Sequence, residues 1–127
     1  MNPYFTEVLQ AHVAIEAWLG RGDGDVNALI ARFSADYSMI TLSGAVLNHD
    51  QLSQFFLAQR AAKPGLRIDI EVDEMRLLAE WPQGAVVSYR ERQSLPGQPA
   101  TTRRSTVLFT LKENQPLWRH LHETAES

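Results

Sequence analysis

A change of hydrophobic period near residue 65 constrains this chain more than any other feature. Before it, Phe5, Val8, His12, Ile15 and Leu19 recur at spacings of three and four, with Tyr4, Ala11 and Trp18 widening the stripe. That is the pattern of a helix with one buried face. After it, Leu66, Ile68, Ile70 and Val72 alternate with Arg67, Asp69, Glu71 and Asp73, the two-residue repeat of a half-buried strand. Helices first and strands afterwards argue against a doubly wound α/β sheet. They predict an α+β domain with its helices on one face of a strongly curved, mostly antiparallel sheet.

The spacing sets the expected boundaries. Asn2 followed by Pro3 starts the first helix, and Gly20 to Gly24 ends it. Asp25 caps a second helix running to about Phe33, and residues 37–42 form a short strand. A third helix spans about His49 to Arg60, with His49-Asp50 as its capping segment and Pro64-Gly65 as its stop. Strands then follow over 66–73, near 75–80 as a continuation or bend, and over 84–93, 102–111 and 117–124. Pro82-Gln83-Gly84, Leu95-Pro96-Gly97 and Glu113-Asn114-Gln115-Pro116 separate them. The 127 residues suit one domain with one core.

Several function classes are disfavoured. No apolar run exceeds four residues, far below the roughly 20 of a membrane-crossing helix. A net charge of −3 offers no general field for a phosphate backbone, so neither nucleic acid nor membrane is an expected partner. There are no cysteines, and no Lys or Arg precedes Arg21, so a cytoplasmic location is the default expectation.

No familiar catalytic motif is present. Gly20-Arg21-Gly22-Asp23-Gly24-Asp25 lacks the third glycine and the preceding strand of a dinucleotide loop. Read as a calcium loop, the same stretch has Ala28 where glycine is required and Ser34 where a bidentate Glu belongs. His120-x-His122 could supply two metal ligands from one strand face, but no third is near, so no metal and no cofactor is expected.

The candidate site comes from topology. If the last three strands form a meander, Tyr89-Arg90-Glu91-Arg92, Arg103-Arg104-Ser105-Thr106 and Arg119-His120-Leu121-His122-Glu123 meet at one end of the sheet. The opposite end is apolar. Alternation puts Tyr89 and Glu91 on one face, with one arginine of the Arg103-Arg104 pair. Converging under helices, these groups would form a low-dielectric site for a ligand or a proton transfer. The alternative is that they pair with one another at a solvated sheet end or a dimer seam. His12 reads as a core histidine with one nitrogen hydrogen-bonded, or as an acid or base facing the cavity. Alternation leaves either face of the last strand free to be the inner one.

The order of elements resembles the nuclear transport factor 2-like superfamily, especially its SnoaL-like members and the association domain of calmodulin-dependent kinase II. The resemblance rests on Phe33-Ser34-Ala35-Asp36-Tyr37, Gly44, Ala85-Val86-Val87-Ser88-Tyr89, Arg104-Ser105-Thr106 and Trp118-Arg119-His120-Leu121-His122-Glu123-Thr124. It implies a cone-shaped α+β barrel, a pocket between sheet and helices, and a homodimer through the outer sheet face. Tyr89, Trp118 and His122 look like the family's tyrosine and its Trp-x-x-x-His ending. Glu91 stands where the kinase association domain carries an arginine. The superfamily includes isomerases, dehydratases, cyclases, sensors and assembly modules, so the resemblance implies no single reaction.

Together these readings predict a small-molecule-binding protein with acid–base catalysis of the isomerase, cyclase or dehydratase type as an option. Tyr37, Tyr89, Glu91, Arg104, Arg119 and His122 are the expected ligand-binding residues, and Glu91 and His122 the expected catalytic ones. The alternative is a non-catalytic dimerisation or assembly module, for which no cavity of ligand size is expected.

Overall fold

The computed structural model describes residues 1–126. Helix α1 (Pro3–Arg21) begins where Asn2 Oδ1 accepts the Phe5 N–H at 2.9 Å, with Pro3 at the first helical position. It ends on Gly22, whose φ of +69° closes the last turn. Asp25 caps α2 (Val26–Ile30) by accepting the N–H groups of Asn27 and Ala28. The sequence predicts that this helix reaches Phe33. Instead it stops at Ile30 and Phe33 opens β1 (Phe33–Ile40), where its ring packs 4.9 Å from Tyr37 and 5.9 Å from Phe56 and Trp118. Core packing overrides local propensity there.

A short β2 (Val46–Asn48) pairs back on β1 and runs directly into α3 (His49–Ala58). The cap of α3 is Asn48, in a reciprocal capping box with Gln51, rather than His49-Asp50. The strand expected over 66–73 is split. β3 (Arg67–Ile70) ends before a 3-10 turn over Val72–Glu74, and β4 (Arg76–Trp81) follows. The turn lets β3 pair with the far half of β5 (Gly84–Ser94) and β4 with the near half. β6 (Thr101–Lys112) and β7 (Gln115–Glu126) complete the meander.

The sheet runs β2-β1-β7-β6-β5-β3, with β4 beside β5. Every pairing is antiparallel except β1 with β7, so the expected mixed α+β architecture is met. The sheet is curved but, among the described residues, not closed into a barrel: β2 lies at one edge and β3 and β4 at the other. The helices cover its inner face, α1 against β3, β5 and β7, and α3 against β1. Among the described residues, no helix is long and apolar enough to cross a membrane.

One end of the inner face is dry. Trp118 stacks edge-on to Phe109 at 4.9 Å, Tyr4 of α1 lies 5.6 Å from Phe109, and Ala85, Val87 and Val107 are fully buried beside them. Gly84 is required here, because a Cβ would stand 2.2 Å from the Phe109 carbonyl oxygen.

Strand β7 carries a bulge. Trp118 pairs with Phe109 but His120 pairs with Leu108, so Arg119 is the extra residue. Its effect is a change of phase, with Trp118 facing inward before the bulge and Leu121 and Glu123 after it.

Candidate functional site

Along β5, Ala85, Val87, Tyr89, Glu91 and Gln93 share the inner face. The register sets Val87 opposite Val107, Tyr89 opposite Ser105 and Glu91 opposite Arg103, while Ser105 faces Glu123 on its other side. The inner face therefore grades from apolar to charged as the strands leave the Phe109–Trp118 end. Over the charged part lies a cavity of about 260 Å³. Ile15 and Leu19 of α1, Leu52, Phe55 and Phe56 of α3, and Met39, Leu47 and Leu121 give it an apolar wall. His12, Tyr37, Glu91, Gln93, Arg103 and Glu123 supply its polar surface, and Lys63 joins from the loop after α3.

His12 and Glu91 form a buried pair at its centre. His12 Nδ1 stands 2.7 Å from the Val8 carbonyl oxygen, which can only accept, so Nδ1 carries a hydrogen. Nε2 is then the atom facing Glu91 Oε1, at 3.1 Å. Burial alone would lower the imidazole's pKa, but the contact with Glu91 outweighs it and holds His12 above its ordinary value. Burial would likewise raise Glu91; its contact with His12, a 2.6 Å hydrogen bond from the Gln93 amide to Oε2, and nearby Arg103 together lower it. The two shifts, opposite in direction, both favour the charged forms that face each other.

Glu123 differs. Its oxygens stand 3.4 and 3.5 Å from Arg103 Nη1, long for a charge-assisted bond. Burial and the nearby Glu91 charge raise its pKa, against the lowering effect of Arg103. Glu91 Oε1, Arg103 Nε, Tyr89 Oη and Ser105 Oγ are buried with no hydrogen-bond partner among the described residues, so the His12–Glu91 contact is a close charge pair rather than a well-aligned hydrogen bond. Burial, with Glu91 next, pushes the Tyr89 hydroxyl well above its ordinary value, so it stays a neutral donor.

Of the expected residues, Tyr37, Tyr89 and Glu91 come together here. Tyr37 lines the cavity, and Tyr89 lies beneath it with its ring 5.4 Å from that of His12. Arg104 does not reach the cavity. It sits opposite Arg90 on the outer face, near Glu74 at 3.7 Å and Glu126 at 3.6 Å, and Arg103 takes the inward position. Arg119, displaced by the bulge, pairs with Asp36 at 3.1 Å and donates to its carbonyl oxygen at 2.8 Å. His122 is exposed on the outer face beside His120, whose Nδ1 lies 2.7 Å from Ser38 Oγ. Among the described residues no three His, Asp or Glu side chains cluster as a metal ion would require.

Sequence reading missed Glu123, Gln93 and the apolar wall from α3. The alternation of β5 would have found Gln93, two residues beyond Glu91. Glu123 was hidden by the bulge, which has no marker in Trp118-Arg119-His120-Leu121.

No family model matches the chain, and no curated protein does. Solved structures do. An NTF2-like protein of unknown function from Pseudomonas aeruginosa is 39% identical, with a TM-score of 0.92 over 99% of this chain and 100% of that one. An NTF2-like protein from Cytophaga hutchinsonii shares the fold at 17% identity and TM-score 0.73, over 99% and 100% of the two chains. The association domain of the C. elegans calmodulin-dependent kinase II shares it at 10% identity and TM-score 0.72, over 94% and 91%.

Proposed function

This chain belongs to the nuclear transport factor 2-like family, and from that premise we propose that it binds a small, largely apolar molecule carrying a polar group in the cavity between helices and sheet. The observation that carries this reading is the cavity itself. It sets an apolar helical wall against a floor holding a His–Glu pair and an Arg–Glu pair, the mix of lining and oriented polar groups that ligand sites use. Its volume corresponds to about nine water molecules, which scales the ligand to roughly ten heavy atoms. Acid–base chemistry is part of the proposal, because carboxyls pushed in opposite directions by burial and neighbours are how a fold prepares an acid and a base.

The inward course of Arg103 favours this reading over an assembly module, for which the same arginine would cross a subunit seam. A homodimer through the outer sheet face is compatible with it. Ile40, Val86 and Leu108 stand on that face among His120, His122 and Thr106, an apolar patch with a polar surround.

Ligand-detected NMR with a library of small neutral and charged amphiphiles tests the proposal. Wild-type protein is expected to bind members that a folded variant with Trp at Thr41, a lining residue of the cavity, does not. Equal binding by both, or by neither, overturns it.

A further inference from the structure

Two polar atoms of the cavity floor are held in place but unmatched. Glu91 Oε2 takes the Gln93 amide at 2.6 Å, whereas Oε1, 3.1 Å from the His12 ring nitrogen, is buried with no aligned donor among the described residues. Arg103 Nη1 leans on Glu123 at 3.4 Å, whereas its Nε is buried with no acceptor among the described residues. Glu91 and Arg103 stand directly opposite each other across β5 and β6, which sets their Cβ atoms about 5 Å apart, and both line the cavity. One free acceptor therefore stands beside one free donor, under the apolar wall from α1 and α3. Each is also supported from behind. Gln93 and His12 fix the Glu91 carboxylate, and Glu123 holds the far end of the Arg103 guanidinium.

We infer that the ligand's polar group is a neutral carboxamide, whose N–H donates to Glu91 Oε1 and whose carbonyl oxygen accepts from Arg103 Nε. This rests on the pocket reading above and adds the ligand class to it. A carboxamide carries a donor and an acceptor side by side on one planar group, which is what two neighbouring strands present here from the protein side. A ketone would satisfy Arg103 and leave Oε1 without a donor. A carboxylate would set a second anion against Glu91, and a buried acceptor without a donor is costly. The floor asks for no charge from the ligand, since His12 faces Glu91 and Arg103 faces Glu123. Lys63 is the feature that would favour an anion instead. It lines the cavity from the loop after α3, but its backbone N–H is bonded to the Leu19 carbonyl, two helical turns or about 10 Å along α1 from His12.

Dissociation constants from NMR titration of benzamide, acetophenone and benzoate, three rings of matched size, test the assignment. Wild-type protein is expected to bind benzamide at least about 10-fold more tightly than either of the others, because only benzamide matches both floor atoms. Arg103→Met is expected to weaken benzamide about 10-fold, and His122→Ala, on the outer face, to leave it unchanged. Equal affinity for benzamide and acetophenone, or tighter binding of benzoate, overturns the carboxamide inference and leaves the pocket reading intact. Undiminished benzamide binding in a folded Arg103→Met variant does the same. If that variant does not fold, the wild-type series decides alone. Undiminished benzamide binding in the Thr41→Trp variant lies outside the cavity and overturns both. Failure of all three rings to bind overturns the inference, and the pocket reading with it when the amphiphile library also fails.

Discussion

At the scale of single residues, the His12–Glu91 pair is where stability and chemistry meet. Both side chains are nearly inaccessible, at 8% and 2% exposure, so the charges are tolerated only because they face each other. Replacing Glu91 with Gln leaves a buried imidazole without its counter-charge, and the expected cost is about 3–5 kcal/mol in urea unfolding. The pH dependence has a definite sign. His12 is raised, so its contribution is complete below the unfolded imidazole value and lost as pH climbs through the folded one. Glu91 is lowered, so its contribution is present above the ordinary carboxylate value and lost as pH falls through the folded one. The stability difference between wild type and Glu91→Gln should therefore plateau between these limits and shrink on both sides. A difference that grows steadily with pH contradicts the pairing. Sequence alone could place Glu91 on an inner face, because β5 alternates without interruption. It could not tell whether His12 faced core or cavity, because a helical stripe gives a residue's side but not its depth; His12 does both, with one nitrogen on its own helix and the other on the site.

Element boundaries were legible where local chemistry decides them, and obscure where long-range pairing does. The Asn2-Pro3 and Asp25 caps are local hydrogen bonds, and the helices begin where they say. The end of α2, the split of β3 from β4 and the bulge in β7 depend on partners far along the chain. The bulge mattered most, since one extra residue exchanges the two faces of the rest of β7. Arg119→Ala should cost no more than about 1 kcal/mol, because it removes a largely solvated ion pair and one exposed hydrogen bond, both to Asp36. Deleting Arg119 removes the extra residue and leaves His120 opposite Leu108 and Leu121 opposite Val107, so Leu121 and Glu123 still face inward and the fold is expected to survive; loss of the folded circular dichroism signal and of the thermal unfolding transition would contradict that. Gly84→Ala, pressing a Cβ onto the Phe109 carbonyl, is expected to cost about 1–3 kcal/mol.

At the scale of the whole molecule, the open curved sheet and the helices over it account for both the dry end and the cavity. Packing between Trp118, Phe109 and Tyr4 closes one end, and the charged cross-strand pairs keep the other from collapsing into an apolar core. If the outer sheet face joins two copies, Leu108→Glu should convert a dimer to a monomer in sedimentation velocity while leaving cavity binding unchanged. A wild-type monomer at micromolar concentration would contradict the dimer. The central claim is that the cavity holds a small molecule, and electron density from crystals soaked with the amphiphile that binds best in the NMR screen tests it most directly. The expected density has its apolar part against Phe55, Phe56 and Leu52 and its polar group toward the charged floor. A cavity filled only by ordered water, or occluded by Phe55 and Leu47, would contradict it.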